Sequence, residues 1–289
     1  MDPTTSGRFR VHDRRPRPDI DGDEPEVDEE AAPDEFVLVE LSDGPIDPAD
    51  PDAADQFEPL YATAEGYDDE DGDTDDETGN DTADLADRVA DLQPGCVVDA
   101  TLAWTDGSAR FVDLDVVRES RFRFADDVEG MFEAAVETWD QIRAAGEAVG
   151  SITTRSNDGE PNGALYLFAD APGSDTFAEL RAARLPIEPL IARVNDSRGD
   201  GEPREVFVLR PAAHEFVAVY VVFDRAGVLA QTVRDTYGLG PGLAAGLESG
   251  AFEAGEVSEK SADEDSAEGS TDPPNEDSSD DDFDALDRL

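Results

Sequence analysis

Residues 94–117 read PGCVVDATLAWTDGSARFVDLDVV, and this stretch decides the architecture of the first half of the chain. The run from Cys96 to Trp104 is rich in the β-branched and apolar residues that favour strands. Asp106-Gly107 is a tight-turn sequence of the kind that joins two antiparallel strands. Arg110 to Val117 is the predicted returning strand, and it continues through Arg121 to Phe124. The stretch therefore predicts a β-hairpin with further strand behind it.

Short strand-like runs also precede this hairpin. Gly7 to Val11 alternates arginine with apolar residues, Glu35 to Leu41 reads EFVLVEL, and Tyr61 to Tyr67 is a third candidate strand. A short helix is predicted from Leu85 to Leu92. Five or six short strands with one helix predict a small, OB-like β-barrel. Three acidic stretches are predicted to be disordered surface loops, at 16–33, 43–59 and 67–84.

Helices alternate with pairs of strands in the second half. Apolar residues recur at helical spacing from Val128 to Val149, behind an N-terminal signature at Asp126. Two strands follow, then a helix interrupted by prolines, then two nearly all-apolar strands and a last helix. These elements are predicted at Ser151 to Arg155, Ala164 to Ala169, Thr176 to Val194, Glu205 to Arg210, Phe216 to Phe223 and Gly227 to Tyr237. The order predicts an antiparallel, four-stranded sheet packed with helices.

Together these patterns predict an α+β protein in three parts. A β-barrel-like domain spans residues 1–126, an α+β domain spans 127–240, and a disordered acidic tail spans 241–289.

Charge is distributed unevenly along the chain. The chain has 73 acidic and 22 basic residues, for a net charge of −51, and Lys260 is the single lysine. Residues 85–240 carry 27 acidic and 15 basic residues, whereas 1–84 carry 30 and 5, and 241–289 carry 16 and 2. The overall sign opposes binding to free duplex DNA or to an anionic membrane. The composition indicates a halophilic protein, because at about 1 M salt the Debye length of about 3 Å screens such self-repulsion.

Cysteine usage and apolar patterning predict a soluble, cytoplasmic protein. Cys96 is the single cysteine, so no intramolecular disulfide can form. The first 17 residues lack a signal-peptide pattern, and the longest apolar stretch, Phe216 to Phe223, is too short to span a membrane.

Five segments resemble an uncharacterised family of haloarchaeal proteins. They are PGCVVDATLAWTDGSARFVDL (94–114), RFRFADDVEGMFEAAVETW (121–139), RSNDGEPNGALYLFAD (155–170), EVFVLRP (205–211) and FVAVYVVFDRAGVLAQTVRDTYG (216–238). The resemblance supports a single-family core and the halophilic compartment. It implies no activity and no catalytic residue.

No motif in the sequence identifies a particular catalytic or binding chemistry. Gly240, Gly242 and Ala245 match a dinucleotide fingerprint, but they follow a predicted helix and not a strand. The acidic run 68–73 lacks carboxylates at the ends of an EF-hand loop. His12, His214 and Cys96 are too far apart in sequence to predict a metal site. We therefore expect no metal, no cofactor and no catalytic residue.

The densest polar cluster of the core is the loop 153–163. Its candidate ligand-binding residues are Thr154, Arg155, Asn157 and Asn162, because binding residues often lie on loops held by a rigid scaffold. The competing interpretation is a plain hairpin turn, since Asn-Asp-Gly and Pro-Asn-Gly are both turn sequences.

Arginines on two predicted strands form the second candidate surface. Alternation places Arg8 and Arg10 on one face of their strand, and Arg121 and Arg123 on one face of theirs. With Arg110, they could contact the phosphates of RNA or single-stranded DNA. Pairing with carboxylates is the favoured interpretation, because bidentate Arg–carboxylate pairing is expected in an acidic protein.

Three functions follow from these observations. The preferred one is a non-catalytic module that recognises an unknown partner protein through its folded core. The alternatives are RNA or single-stranded DNA binding by the arginine-bearing barrel, and a small-molecule enzyme that uses the 153–163 loop. The sequence names no oligomeric state.

Overall fold

The computed structural model describes residues 3–17, 34–41, 57–67, 79–105, 108–170, 173 and 175–240. The predicted turn Asp106-Gly107, most of the three acidic loops and the tail 241–289 lie outside the described residues.

The first half of the chain forms a closed five-stranded barrel in the order β1-β2-β3-β5-β4. Its elements are β1 (Thr4–Pro16), β2 (Asp34–Glu40), β3 (Pro59–Thr63), α1 (Gly79–Ala90), β4 (Val97–Thr105) and β5 (Ser108–Arg118). Alternate residues point inward, so that Phe9, Phe36 and Phe111 fill the barrel and are almost fully buried. The ring closes where β4 pairs with β1 and where Ala62 of β3 faces Ala109 of β5. The predicted N-terminal barrel is confirmed.

The second half forms a five-stranded sheet in the order β6-β9-β10-β8-β7. Its elements are β6 (Arg121–Val128), α2 (Glu133–Ala145), β7 (Val149–Arg155), β8 (Pro161–Ala169), α3 (Thr176–Arg181), α4 (Glu188–Arg198), β9 (Glu205–Pro211), β10 (Phe216–Val222) and α5 (Val228–Thr236). Buried residues of α2 and α5 pack on one face of the sheet, and those of α3 and α4 pack on the other. Because both faces are covered, β9 and β10 are apolar along nearly their whole length. The predicted α+β class is confirmed.

The assignment of residues 121–124 to the barrel is wrong. These residues begin β6, which runs parallel to β9 in the second sheet, with Arg121 opposite Glu205. The chain leaves the barrel at Ser120, whose hydroxyl accepts a hydrogen bond from the Arg204 amide. Phe122 is then buried with the helices of the second half. The sheet is consequently five-stranded and mixed, not four-stranded and antiparallel, and its first strand starts before residue 126. The division into separately folding domains stays a prediction.

A buried polar seam joins the barrel to the second sheet. Arg10 Nε lies 2.7 Å from Glu188 Oε1, with side-chain exposures of only 3% and 5%. Arg181 of α3 donates to the Asp13 carboxylate at 2.9 Å. Gly95 adopts a positive φ of 98°, and a Cβ there would lie 2.5 Å from the backbone of Arg121. The two halves therefore meet closely along β1, β6 and the helices of the second half.

Candidate functional site

The two arginines of β1 that were predicted to bind nucleic acid have carboxylate partners. Arg8 makes a bidentate, exposed contact with Asp99 on β4, at 2.7 and 2.8 Å. Arg10 lies in the seam against Glu188 and also donates to the carbonyl of Gly95 at 2.9 Å. Only Arg8 of this pair is open to solvent.

The remaining predicted arginines occupy different surroundings. Arg121 Nη1 lies 3.0 Å from the Cys96 sulfur, and Arg123 pairs with the fully buried Glu205. Arg110 stacks over a tyrosine ring at 4.6 Å. Since β1 and β6 belong to different sheets, the four strand arginines do not lie on neighbouring strands. Nucleic-acid binding through these residues stays a prediction, and the favoured carboxylate partners are present for Arg8, Arg10 and Arg123.

The predicted ligand loop is the connection between β7 and β8, and the structure separates its members. The Thr154 hydroxyl lies 2.8 Å from Asn162 Oδ1 and 2.7 Å from the Tyr220 hydroxyl, so Thr154 and Asn162 come together. Arg155 instead donates to the carbonyl of Gly159 at 3.1 Å, and Asn157 is exposed at the hairpin tip. Of the four residues, only Asn162 lines a cleft.

That cleft has a volume of about 600 Å³ and lies between the hairpin, the 198–204 loop and the start of α5. Its polar lining consists of Ser156, Asn162, Arg198, Asp200, Glu202, Arg204, Asp224 and Arg225. Arg204 is 2% exposed and donates to the carbonyl of Phe223 at 2.8 Å. Burial lowers the pKa of its guanidinium, against the opposing effect of Asp200. Sequence reasoning missed this cleft, although the run RGDGEPR (198–204) combines glycine, proline and charge in the manner of a binding loop.

Arg118 does not line the cleft but lies against Gly201, between the lining residues Asp200 and Glu202. Arg118 is partly buried, and within the described parts of the chain it has no hydrogen bond or ion pair. Its pKa is lowered by burial and then by the nearby cations Arg10, Arg8 and Arg204. Glu202, which lines the cleft, acts in the opposite direction and raises the pKa of Arg118.

The histidines and the cysteine form no catalytic or metal-binding cluster. His12 is 1% exposed, and its Nε2 donates to the Leu180 carbonyl at 2.7 Å. Its Nδ1 lacks a partner among the described residues, and burial lowers its pKa to about 4. His214 packs against the Phe216 ring at 5.6 Å. Among the residues that the structure places, no group of three or more His, Cys, Asp or Glu side chains could hold a metal ion.

Strand β7 is an open edge of the second sheet. It pairs with β8 on one side, and no backbone group of Val149–Arg155 is bonded to any other element within the described ranges. The opposite edge strand, β6, differs, because the Phe122 amide donates to the Pro94 carbonyl of the barrel at 2.8 Å. Only one of the seven β7 residues, Arg155, carries a charge, whereas a third of the whole chain is charged.

Comparison with known proteins places the chain in a family without giving it a function. The model of a family of unknown function, DUF6663, matches residues 1–245, and the chain belongs to this family. No curated protein and no solved structure matches the chain. In the part of the chain that the structure covers, no helix combines the length and the apolar character that a membrane crossing requires.

Proposed function

We propose that this member of the DUF6663 family is a non-catalytic protein-interaction module whose docking element is the outer edge of β7. The observation that carries the proposal is the row of backbone groups on β7 that has no partner among the described residues. An extended segment of a second polypeptide can add to such an edge, and its main-chain hydrogen bonds then supply the affinity.

The sequence of β7 favours such docking. Natural proteins protect edge strands with lysine, proline, inward charges or covering elements. The strand reads VGSITTR, with no lysine, proline or carboxylate in it. An edge without these protections is the expected form of a strand that is covered by a partner.

The two faces of β7 have different roles. Gly150 packs directly under α2, since a Cβ at this position would lie 2.5 Å from the Ile142 side chain. The alternate residues Val149, Ser151 and Thr153 lie on the other face and are exposed or half-buried. A partner strand can therefore add to the edge of β7 while α2 stays packed against one face of the strand.

The test adds protective charges to this edge. Ser151→Lys with Thr153→Lys places two lysines on the accessible face, and we expect the pair to abolish partner capture while leaving the fold intact. Val112→Lys with Val116→Lys is the matched control, because both residues are exposed on the barrel strand β5 and the charge change is equal. The measurement is capture of native-cell proteins and RNA in molar KCl, followed by hydrogen exchange across residues 149–155 in the captured complex.

Support requires capture by the native chain and the control, loss with the edge variant, and slower exchange of β7 in the complex. Equal capture by both variants overturns the proposal. If RNA alone is retained, and is retained equally by both variants, the alternative of nucleic-acid binding through Arg8, Arg10, Arg110, Arg121 and Arg123 gains support.

A second candidate function is binding of a small anion where the cleft meets Arg118, because this arginine lies against Gly201 and has no ion-pair partner among the described residues. The volume of the cleft, about 600 Å³, lies within the ordinary range of ligand sites. The probe is inorganic phosphate, added at constant ionic strength against chloride, with thermal unfolding as the readout. We expect phosphate to raise the melting temperature of the native chain and of the Arg143→Gln control, but not of Arg118→Gln. An equal rise in all three proteins would exclude this function.

We also propose that the module works in a cytoplasm of molar salt. The support is the uneven charge distribution, since residues 85–240 carry only −12 of the total −51 and the rest lies in the terminal segments.

A further inference from the structure

Strand β7 contains no carboxylate, and residues of opposite charge flank it, with Glu147 before the strand and Arg155 at its end. Resting on the proposed docking role of this edge, we infer that its partner is a second copy of the same chain. The two β7 strands pair antiparallel about a twofold axis, with Ser151 opposite its own copy.

The strip of chain along this edge contains no acidic residue. From Ala148 to Asn157 the sequence is AVGSITTRSN, which contains no carboxylate. Two molecules of charge −51 repel each other wherever carboxylates face one another, so they can approach most closely across an exposed strip that lacks them. This strip coincides with the open sheet edge.

Residues of opposite charge lie toward the two ends of the strip. In the register centred on Ser151, Arg155 lies four residues after the axis and Glu147 lies four residues before it, so each Arg155 faces Glu147 of the other copy. Both residues are exposed; Arg155 is the last residue of β7, and Glu147 lies two residues before the strand begins. Directly opposed residues of unlike charge stabilise an antiparallel pair.

Strand β7 is regular along its whole length. The only register shift between β7 and β8 lies between Thr154 and Arg155, and the extra residue, Asn162, is on β8. Alternation along β7 is therefore unbroken to Arg155. Val149 then faces Thr153 of the other copy, and the two five-stranded sheets become one continuous sheet.

The test is sedimentation velocity of the full chain over a range of protein concentrations in molar KCl. We expect a concentration-dependent species of twice the 31.0 kDa chain mass. Glu147→Arg and Arg155→Glu should each weaken the dimer roughly tenfold, because each replaces two attractive contacts by two repulsive ones. The double variant Glu147→Arg/Arg155→Glu, whose net charge is native, should restore the native dissociation constant.

The two single variants also separate local pairing from overall charge. Glu147→Arg makes the molecule less negative, so overall repulsion alone would strengthen the dimer, whereas the proposed register predicts that it weakens. Circular dichroism in the same buffer verifies that each variant is folded, and the double variant shows whether a single change damaged the structure.

Different results contradict the dimer and the proposed docking role of β7. A chain that is monomeric at every concentration overturns the inference, as does a dimer whose affinity both single variants leave unchanged. Partner capture that depends on Ser151 and Thr153 by a monomeric chain leaves the proposed function standing without the second copy. A monomer with slow exchange across β7 contradicts both proposals, because a segment of the same chain then covers the edge.

Discussion

Arg10 and Glu188 show at the scale of single residues how the two halves of the molecule are joined. Their side chains are almost completely buried, and the guanidinium also satisfies the carbonyl of Gly95. Removing one charge of a buried pair leaves the other without compensation, which costs much more than removing both. The pair therefore fixes which surfaces meet, whatever its net contribution to stability.

We predict that Glu188→Gln lowers the free energy of unfolding by about 3–5 kcal/mol. The double change Arg10→Met/Glu188→Leu should lie within about 2 kcal/mol of the native protein, because it removes both charges and fills the same space. Urea denaturation in molar KCl measures both values. A small loss for Glu188→Gln, comparable with that of the double variant, would contradict a buried pair.

His12 gives the seam a pH dependence. Its pKa falls from 6.5 to about 4 on folding because burial disfavours the charged ring. Between these two pH values, His12 is protonated in the unfolded chain and neutral in the folded chain. The free energy of unfolding therefore falls as the pH is lowered from about 6.5 to about 4. The loss from this residue is about 3 kcal/mol at about 1.4 kcal/mol per pKa unit.

The comparison that isolates this contribution is His12→Phe, which keeps an aromatic ring beside Phe122 and Phe124. Burial raises the pKa of Asp13, so protonation of this carboxyl stabilises the folded protein as the pH is lowered. The native protein and the variant share this contribution, so it cancels from the difference between them. We expect the native protein to lose about 3 kcal/mol more than the variant between pH 7 and pH 4. Parallel stability curves for the two proteins would rule out a titrating His12.

Sequence patterns predicted residue chemistry better than residue partners. Alternation indicated correctly that Arg8 and Arg10 share the outer side of β1, and acidic composition favoured carboxylate partners for them. The identity of Glu188 could not be predicted, because it lies 178 positions away in sequence and reaches Arg10 only through the packing of two sheets.

At the scale of elements, the Pro94-Gly95 turn sets the distance between β4 and β6. Gly95 combines a φ of +98° with a backbone neighbour 2.5 Å from the position that a Cβ would occupy. Neither feature tolerates a side chain, since the left-handed region favours glycine and backbone atoms cannot move aside cheaply.

We predict that Gly95→Ala destabilises the protein by more than about 2 kcal/mol. Gly146→Ala is the matched control, because Gly146 also has a positive φ, of 76°, but open space where its Cβ would be. The control should lose only about 1 kcal/mol. Equal losses of unfolding free energy for the two variants, measured by thermal or urea unfolding, would show that β6 is not in close contact with the Gly95 turn.

Local patterns predicted most elements of the second half but not the position of β6. The apolar runs of β8, β9 and β10 and the interruption between α3 and α4 follow from periodicity and proline. The parallel pairing of β6 with β9 joins Arg121 to Glu205, across most of the second half of the chain. Nothing in the RFRF repeat distinguishes such a distant partner from a neighbouring barrel strand.

The candidate site, like the second half of the fold, could be predicted from the sequence only in part. The loop 153–163 was predicted from its polar residues, but the cleft needs the 198–204 loop and the start of α5 beside it. The open edge of β7 could not be predicted, because the order of strands in a sheet decides which strand lies outermost.

At the scale of the whole molecule, the net charge of −51 predicts a fold whose stability depends on salt. We predict that the protein is unfolded or expanded in dilute buffer and gains full native structure only as KCl approaches molar concentration, where the Debye length is about 3 Å. Far-UV circular dichroism across a KCl titration measures this. Native structure in dilute buffer would remove the case for a high-salt habitat.

Hydrogen exchange of the β7 amides tests most directly whether this strand pairs with a second copy of the chain. In molar KCl, we predict that exchange across residues 149–155 slows as protein concentration rises, while exchange of buried β10 stays unchanged. Exchange of β7 that is independent of protein concentration and unaffected by Ser151→Lys/Thr153→Lys would contradict the pairing of β7 with a second copy.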